Sequence, residues 1–153
     1  MSTRALVGLV ALTAILSAPA CGGGDGSDDM RLVLTDEGCT YEGDEALATG
    51  AFTLDVENET EYYGAFALTS LAERSTIGDL EPYLERAHQQ FQESGTLLEP
   101  PELYEQVVRS GVEAGSSGLL PGDVPAGSYA LMCFVDDLPT WRVYAATQLE
   151  VTK

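Results

Sequence analysis

The side chains able to do chemistry are few and mostly of one kind. The 153-residue chain has one histidine, His88, three cysteines, Cys21, Cys39 and Cys133, and 25 acidic residues against 7 basic ones. A single imidazole excludes His-based catalytic clusters and any metal site that needs two such ligands. Serines without a usable histidine, and no Gly-rich phosphate loop after a strand, leave only carboxylate pairs as catalytic groups. Such pairs come close in any acidic fold, so no catalytic residue is assigned and the chain is not expected to be an enzyme. The pairs Asp36-Glu37, Asp44-Glu45 and Asp136-Asp137, with Asp25, Asp28 and Asp29, could offer oxygens to hard cations. That gives an alternative reading as a cation-handling protein. No EF-hand spacing is present and paired acids in loops are ordinarily solvated, so no metal ligand or cofactor is assigned.

The charge narrows the partners. At a formal net charge of −18 and a pI near 4.1, the chain has no Lys/Arg cluster to neutralise phosphates, which disfavours nucleic acid. The same balance disfavours adsorption to an anionic membrane surface. With 44% hydrophobic and 21% charged residues the composition is that of a globular domain of ordinary size.

The N-terminus reads as an address. One positive charge in Met1–Arg4 precedes an apolar run, Ala5–Leu16, broken only by Gly8 and Thr13. That is the length of a signal-peptide core and short for a membrane span. Ser17-Ala18-Pro19-Ala20 then puts small residues before Cys21. The arrangement resembles the lipobox of bacterial lipoproteins, with Ala18 where that family prefers Leu or Val; an Ala-x-Ala site also suits ordinary secretion. The resemblance implies a lipid on Cys21 and a mature protein held to a membrane on its extracytoplasmic side. The stretch Gly22–Asp29 fits a flexible tether with a root-mean-square reach of about 15 Å. Residues 1–20 are accordingly the signal peptide, 21–30 the lipidated cysteine and tether, and 31–153 the domain.

With Cys21 lipidated, Cys39 and Cys133 remain, in a compartment where disulfides persist. Both fall in segments that read as strand or strand edge, Arg31–Thr35 leading to one and Ser128–Cys133 containing the other. Parity and location favour a Cys39–Cys133 bond; the rival reading makes Cys133 a metal ligand or a buried thiol.

Short strands punctuated by Gly and Pro must position these residues. Leu32-Val33-Leu34 is an apolar run ending at the turn Asp36-Glu37-Gly38. Phe52, Leu54 and Val56 alternate with Thr53, Asp55 and Glu57, the pattern of a half-buried strand. Asn58-Glu59-Thr60, which also fits a glycosylation sequon, reads as a turn, and Tyr63–Leu68 as the next strand. Leu80, Tyr83, Leu84, Ala87 and Phe91 recur at helical spacing, with Asp79 as N-cap, Pro82 in the first turn and Gly95 as the stop. His88, at the edge of that stripe, reads as a half-exposed surface residue. The helical region is expected to run from about Ser75 to Pro101. Val107, Val108 and Val112 favour a strand over Glu105–Val112. Gly115–Gly118 reads as a loop, Leu119–Gly127 as a turn into the Tyr129 strand, and Ala145–Val151 as a last alternating strand. The expected fold is mainly β, an antiparallel or mixed sandwich with one inserted amphipathic helix.

Four segments carry a family likeness. Gly50–Asn58, Phe66-Ala-Leu68, Pro125-Ala-Gly-Ser-Tyr-Ala-Leu-Met-Cys133 and Leu149-Glu-Val151 resemble a cupredoxin-type β-sandwich over roughly Arg31 to Lys153, with the helical region as an insertion. The resemblance implies a copper site of two imidazoles, a thiolate and a weak axial Met. This chain departs from it: Gly64 stands where the first His should be, Phe134–Pro139 contains no His, and Val143–Ala146 replaces the axial Met. The expectation is a copper-free cupredoxin-like scaffold in the cell envelope, binding a protein or small ligand. Tyr62, Tyr63, Tyr104, Trp141 and Tyr144 could line a contact patch.

Overall fold

The computed structural model describes residues 30–100 and 104–153. The signal segment, the lipidation position Cys21 and the tether up to Asp29 lie outside the described residues. Among the described residues nine strands form two sheets, with one α-helix on the outer face of the second.

The first sheet has four strands in the order β2 (Cys39–Glu42), β1 (Arg31–Leu34), β4 (Gly50–Asn58), β7 (Ser116–Val124). β1 runs parallel to β4, and its other neighbour is antiparallel. The second has five, in the order β3 (Ala46–Ala48), β9 (Arg142–Thr152), β8 (Gly127–Val135), β5 (Gly64–Leu71), β6 (Tyr104–Val112). Only the β3–β9 pair in it is parallel. This is the mixed sandwich read from the sequence.

Alternation explains the core. Leu32, Leu34, Leu54, Val56 and Leu120 of the first sheet meet Phe66, Leu68, Leu131, Cys133, Val135 and Leu149 of the second. Phe66 and most of these leucines are completely buried, each adding about 1.5–3 kcal/mol of transfer free energy. β5 and β8 read as unbroken apolar runs because both their faces are covered. Ala130 and Met132, on the outward face, pack under α1 (Glu81–Ser94) with Tyr83, Ala87, Phe91, Trp141 and Val143.

Several boundaries differ from expectation, each for a physical reason. Asp79 is not the N-cap of α1. Its carboxylate accepts from the Thr76 backbone N–H at 2.7 Å and the Thr76 hydroxyl at 3.1 Å, closing a 3-10 turn at Ile77–Asp79. Leu80 occupies the cap position instead. Gly95 ends the helix as expected, with φ +67° and its N–H on the Phe91 carbonyl at 2.8 Å. The stretch read as a loop and a turn, Gly115–Gly127, is mostly the strand β7. Pro121 is tolerated because β7 is an edge strand, where a missing N–H breaks no second ladder. Gly122 is required because a Cβ there would overlap the Phe52 ring. Asn58 closes β4 where a turn was expected, and β9 begins at Arg142, three residues before the expected start. β3, only three residues long, was not expected.

Candidate functional site

The two cysteines form the disulfide, with Cα atoms 5.9 Å apart across 94 positions. It joins the edge strand β2 of one sheet to β8 in the interior of the other. Cys133 is completely buried and Cys39 half-buried. Closing so long a loop stabilises the fold by up to about 4–5 kcal/mol in the chain-entropy picture.

The residues that the sequence resemblance sets at the copper-ligand positions are engaged otherwise. The Cys133 sulfur is bonded to Cys39. At Gly64 a Cβ would lie 2.8 Å from Asn58 Nδ2 and 3.0 Å from Leu34 Cδ2, so the place of an imidazole is taken by the Asn58 amide and the core. His88 stands on α1, half-buried, in a depression shared with Leu84, Glu85, Gln89 and Val143. Among the described residues no group of three or more His, Cys, Asp or Glu side chains is placed to hold a metal ion. Of the acidic pairs, Asp136 is engaged by Arg109 and the Glu45 carboxylate accepts from the Thr147 hydroxyl at 2.7 Å.

Asn58 itself is a latch. It is completely buried. Its Nδ2 donates to the carbonyls of Tyr62, Val112 and Glu113 at 2.8, 3.1 and 3.2 Å, and its Oδ1 accepts from the Thr60 N–H and hydroxyl at 3.1 and 2.8 Å. The amide thereby ties the β4–β5 connection to the β6–β7 hairpin, and its nitrogen is fully engaged in the fold.

A different arrangement lies at the far end of β5. A cleft of about 410 Å³ opens between the outward face of the second sheet and the segment that follows α1. Its walls are Tyr83, Leu98, Phe134 and Trp141, with Leu97 and Pro100 at the mouth. Packing fixes the walls: Trp141 is held by Phe91 of α1, ring centroids 5.4 Å apart, and the Tyr83 hydroxyl donates to the Leu98 carbonyl at 3.2 Å. The polar groups come from β5, β6 and the end of β8. Arg109 lies over the Phe134 ring, its guanidinium carbon 4.8 Å from the centroid, and pairs with Asp136. Arg109 also donates to Gln106 at 3.3 Å. Thr69 is at the floor, 1% exposed, and its hydroxyl has no hydrogen-bond partner among the described residues. Opposite Thr69 the β5–β6 register slips, with Leu68 facing Val108 and Thr69 facing Gln106, so Val107 is an extra residue. Such bulges re-aim side chains beside sites.

Three groups outside the cleft are perturbed. Burial raises the Tyr129 phenol above its ordinary range. Burial, and then the charges of Asp44 and Glu45, do the same for Tyr41. A hydrogen bond to Glu57, and then its charge, raise the exposed Arg31 guanidinium.

Of the five aromatics expected to share a patch, the four whose side chains are described do not come together. Trp141 lines the cleft. Tyr62 and Tyr144 pack against the sandwich core, and Tyr63 lies over Gly111. Tyr104 is the first residue of β6. Thr69, Gln106 and Arg109 were not singled out from the sequence, and Asp136 only as one of a pair of loop acids; its bond to Arg109 spans 27 positions and no local pattern marks it.

Fold and site together define a two-sheet β-sandwich with one covering helix and a ligand-sized cleft between helix and sheet edge. Among solved structures the chain is similar to auracyanin B, at 16% identity and a TM-score of 0.43, over 80% of this chain and 87% of that one. It is similar also to the dithionite-reduced auracyanin of the photosynthetic bacterium Roseiflexus castenholzii, at 14% identity and a TM-score of 0.43, over 80% and 95%. No family model and no curated protein matches the chain.

Proposed function

We propose that this chain is a lipid-anchored, non-catalytic binding domain of the cell envelope that captures a small ligand in the cleft between α1 and β6. The observation that carries the reading is the cleft itself. Its volume of about 410 Å³ lies in the range of small-molecule sites, and it combines apolar and aromatic walls with a few placed polar groups. Thr69 at the floor adds a hydroxyl that a ligand's polar group can reach.

Cys21 after a short apolar leader, followed by a Gly/Ser/Asp tether, supports the anchor. A disulfide suits an extracytoplasmic compartment. The strong negative charge supports a domain kept in solvent, away from anionic headgroups. Among the described residues no helix is long and apolar enough to cross a membrane.

The test uses the full chain with Cys21→Ser, which should move from the detergent phase to the aqueous phase on cloud-point partition. Backbone amide spectra of that soluble form are recorded with mixtures of small aromatic compounds. Shifts gathered at Thr69, Gln106, Arg109 and Phe134 are expected. Shifts that avoid these residues, or none at millimolar compound, would overturn the cleft as the binding site. Intact mass of the membrane-extracted wild type without lipid on Cys21 would overturn the anchor.

A further inference from the structure

The charges around the cleft favour one class of occupant. Resting on the reading of the cleft as a ligand site, we infer that it selects an organic cation, a protonated amine carried on a flat apolar body.

Among the described residues three charged side chains line the cleft: Glu105, Arg109 and Asp136. Arg109 and Asp136 neutralise one another. Glu105 has no ion-pair partner among the described residues, so the cleft carries a residual negative charge inside a chain of net charge −18. An anion entering it would meet Glu105 and the field of the whole domain. The one cation that could receive it is already committed to Asp136, Gln106 and the Phe134 ring.

The floor accommodates the same head group. The Thr69 hydroxyl can accept an ammonium N–H as readily as it can donate to an anion, so the selection rests on charge. Beside it the Phe134 face already holds a guanidinium at 4.8 Å. That face is taken by Arg109, so the ligand's ammonium is left to Glu105 and the Thr69 hydroxyl. The remaining walls, Trp141, Tyr83 and Leu98, suit a flat apolar body and offer it no charge.

The test compares 2-phenylethylamine, 2-phenylethanol and phenylacetate, which share a ring and differ in the head group. Binding to the full chain with Cys21→Ser is followed by the emission of Trp141, the one tryptophan of the chain, and by amide shifts at the cleft. The amine should bind about tenfold more tightly than phenylacetate, with the alcohol between, and added salt should narrow the gap. Thr69→Val should weaken the amine about ten- to a hundredfold, the worth of one hydrogen bond to a charged group. Thr69→Ser should restore it. Glu105→Gln should shrink the preference for the amine without abolishing binding of the alcohol.

Equal affinity for all three compounds, or preference for phenylacetate, would overturn the cation inference and leave the cleft as the binding site. If none of the three binds while other aromatic compounds shift the cleft resonances, the inference falls alone. If no compound shifts them, the inference falls together with the proposed function.

Discussion

The two ends of β5 hold buried polar side chains of opposite kinds. At the Gly64 end, Asn58 is sealed, and its amide nitrogen and oxygen are both used by neighbouring backbone and Thr60. The disulfide lies beside it, since Cys133 faces Phe66 across the β5–β8 ladder and Cys39 faces Leu34 across β1–β2. At the other end the Thr69 residue is also covered, but its hydroxyl makes no bond to the described protein and reaches the solvent of the cleft. Burial alone therefore does not distinguish structure from function in this molecule. Whether the polar group is closed on the protein does, because a closed group stabilises the fold and an open one waits for something else to satisfy it.

The largest test of the contrast is the closed end. Replacing both cysteines by alanine should cost up to about 4–5 kcal/mol, read as a lower denaturant midpoint. In whatever fraction remains folded, binding in the cleft should be unchanged. Loss of binding in step with the disulfide would mean that the two ends are one unit and the contrast is false.

Asn58→Ala is expected to cost about 2–4 kcal/mol, because it strands the carbonyls of Val112 and Glu113 inside the protein. Thr69→Val should behave differently. It deletes a hydroxyl that makes no bond within the described protein, so stability should hold within about 0.5 kcal/mol. Chemical denaturation of the two variants side by side decides the matter. A Thr69→Val protein destabilised as much as Asn58→Ala would show that the Thr69 hydroxyl is also part of the fold.

The closed end was the more legible of the two in the sequence. Alternation at Phe52, Leu54 and Val56 and the helical stripe from Leu80 to Phe91 gave the sandwich and its helix. Cysteine parity gave the bond between the sheets. What was lost depends on contacts between distant segments. β7 looked like loop and turn because Gly115, Gly118, Pro121 and Gly122 are ordinarily breakers; only its edge position and the Phe52 ring against Gly122 explain why they sit in a strand. The cleft draws on β5, α1, β6, β8 and Trp141. Each of these residues looks unremarkable in its own segment, and Thr69 reads as one more β-branched strand residue. Asn58 was visible as a motif, but its role depends on carbonyls 54 and 55 positions away.

The smallest effect extends the contrast to a third buried polar group. Tyr129 is 4% exposed, and its hydroxyl donates to the Pro125 carbonyl at 2.9 Å, so it too is closed. Tyr129→Phe should cost about 0.5–1.5 kcal/mol at neutral pH. Burial raises the Tyr129 phenol above the tyrosine value of about 10 that holds in the unfolded chain. The neutral phenol is the form that the fold favours. Its contribution is therefore fully present below about pH 10 and is lost as pH rises through the higher folded-state value, because the unfolded chain ionises first. Tyr41 is raised in the same direction and leaves a residual alkaline slope in both proteins. Denaturant midpoints of wild type and Tyr129→Phe between neutral pH and about pH 11 should thus converge as the solution becomes alkaline. A gap that stays constant across that range would mean that the Tyr129 phenol is not protected by burial, and that its bond to Pro125 is worth no more than an exposed one.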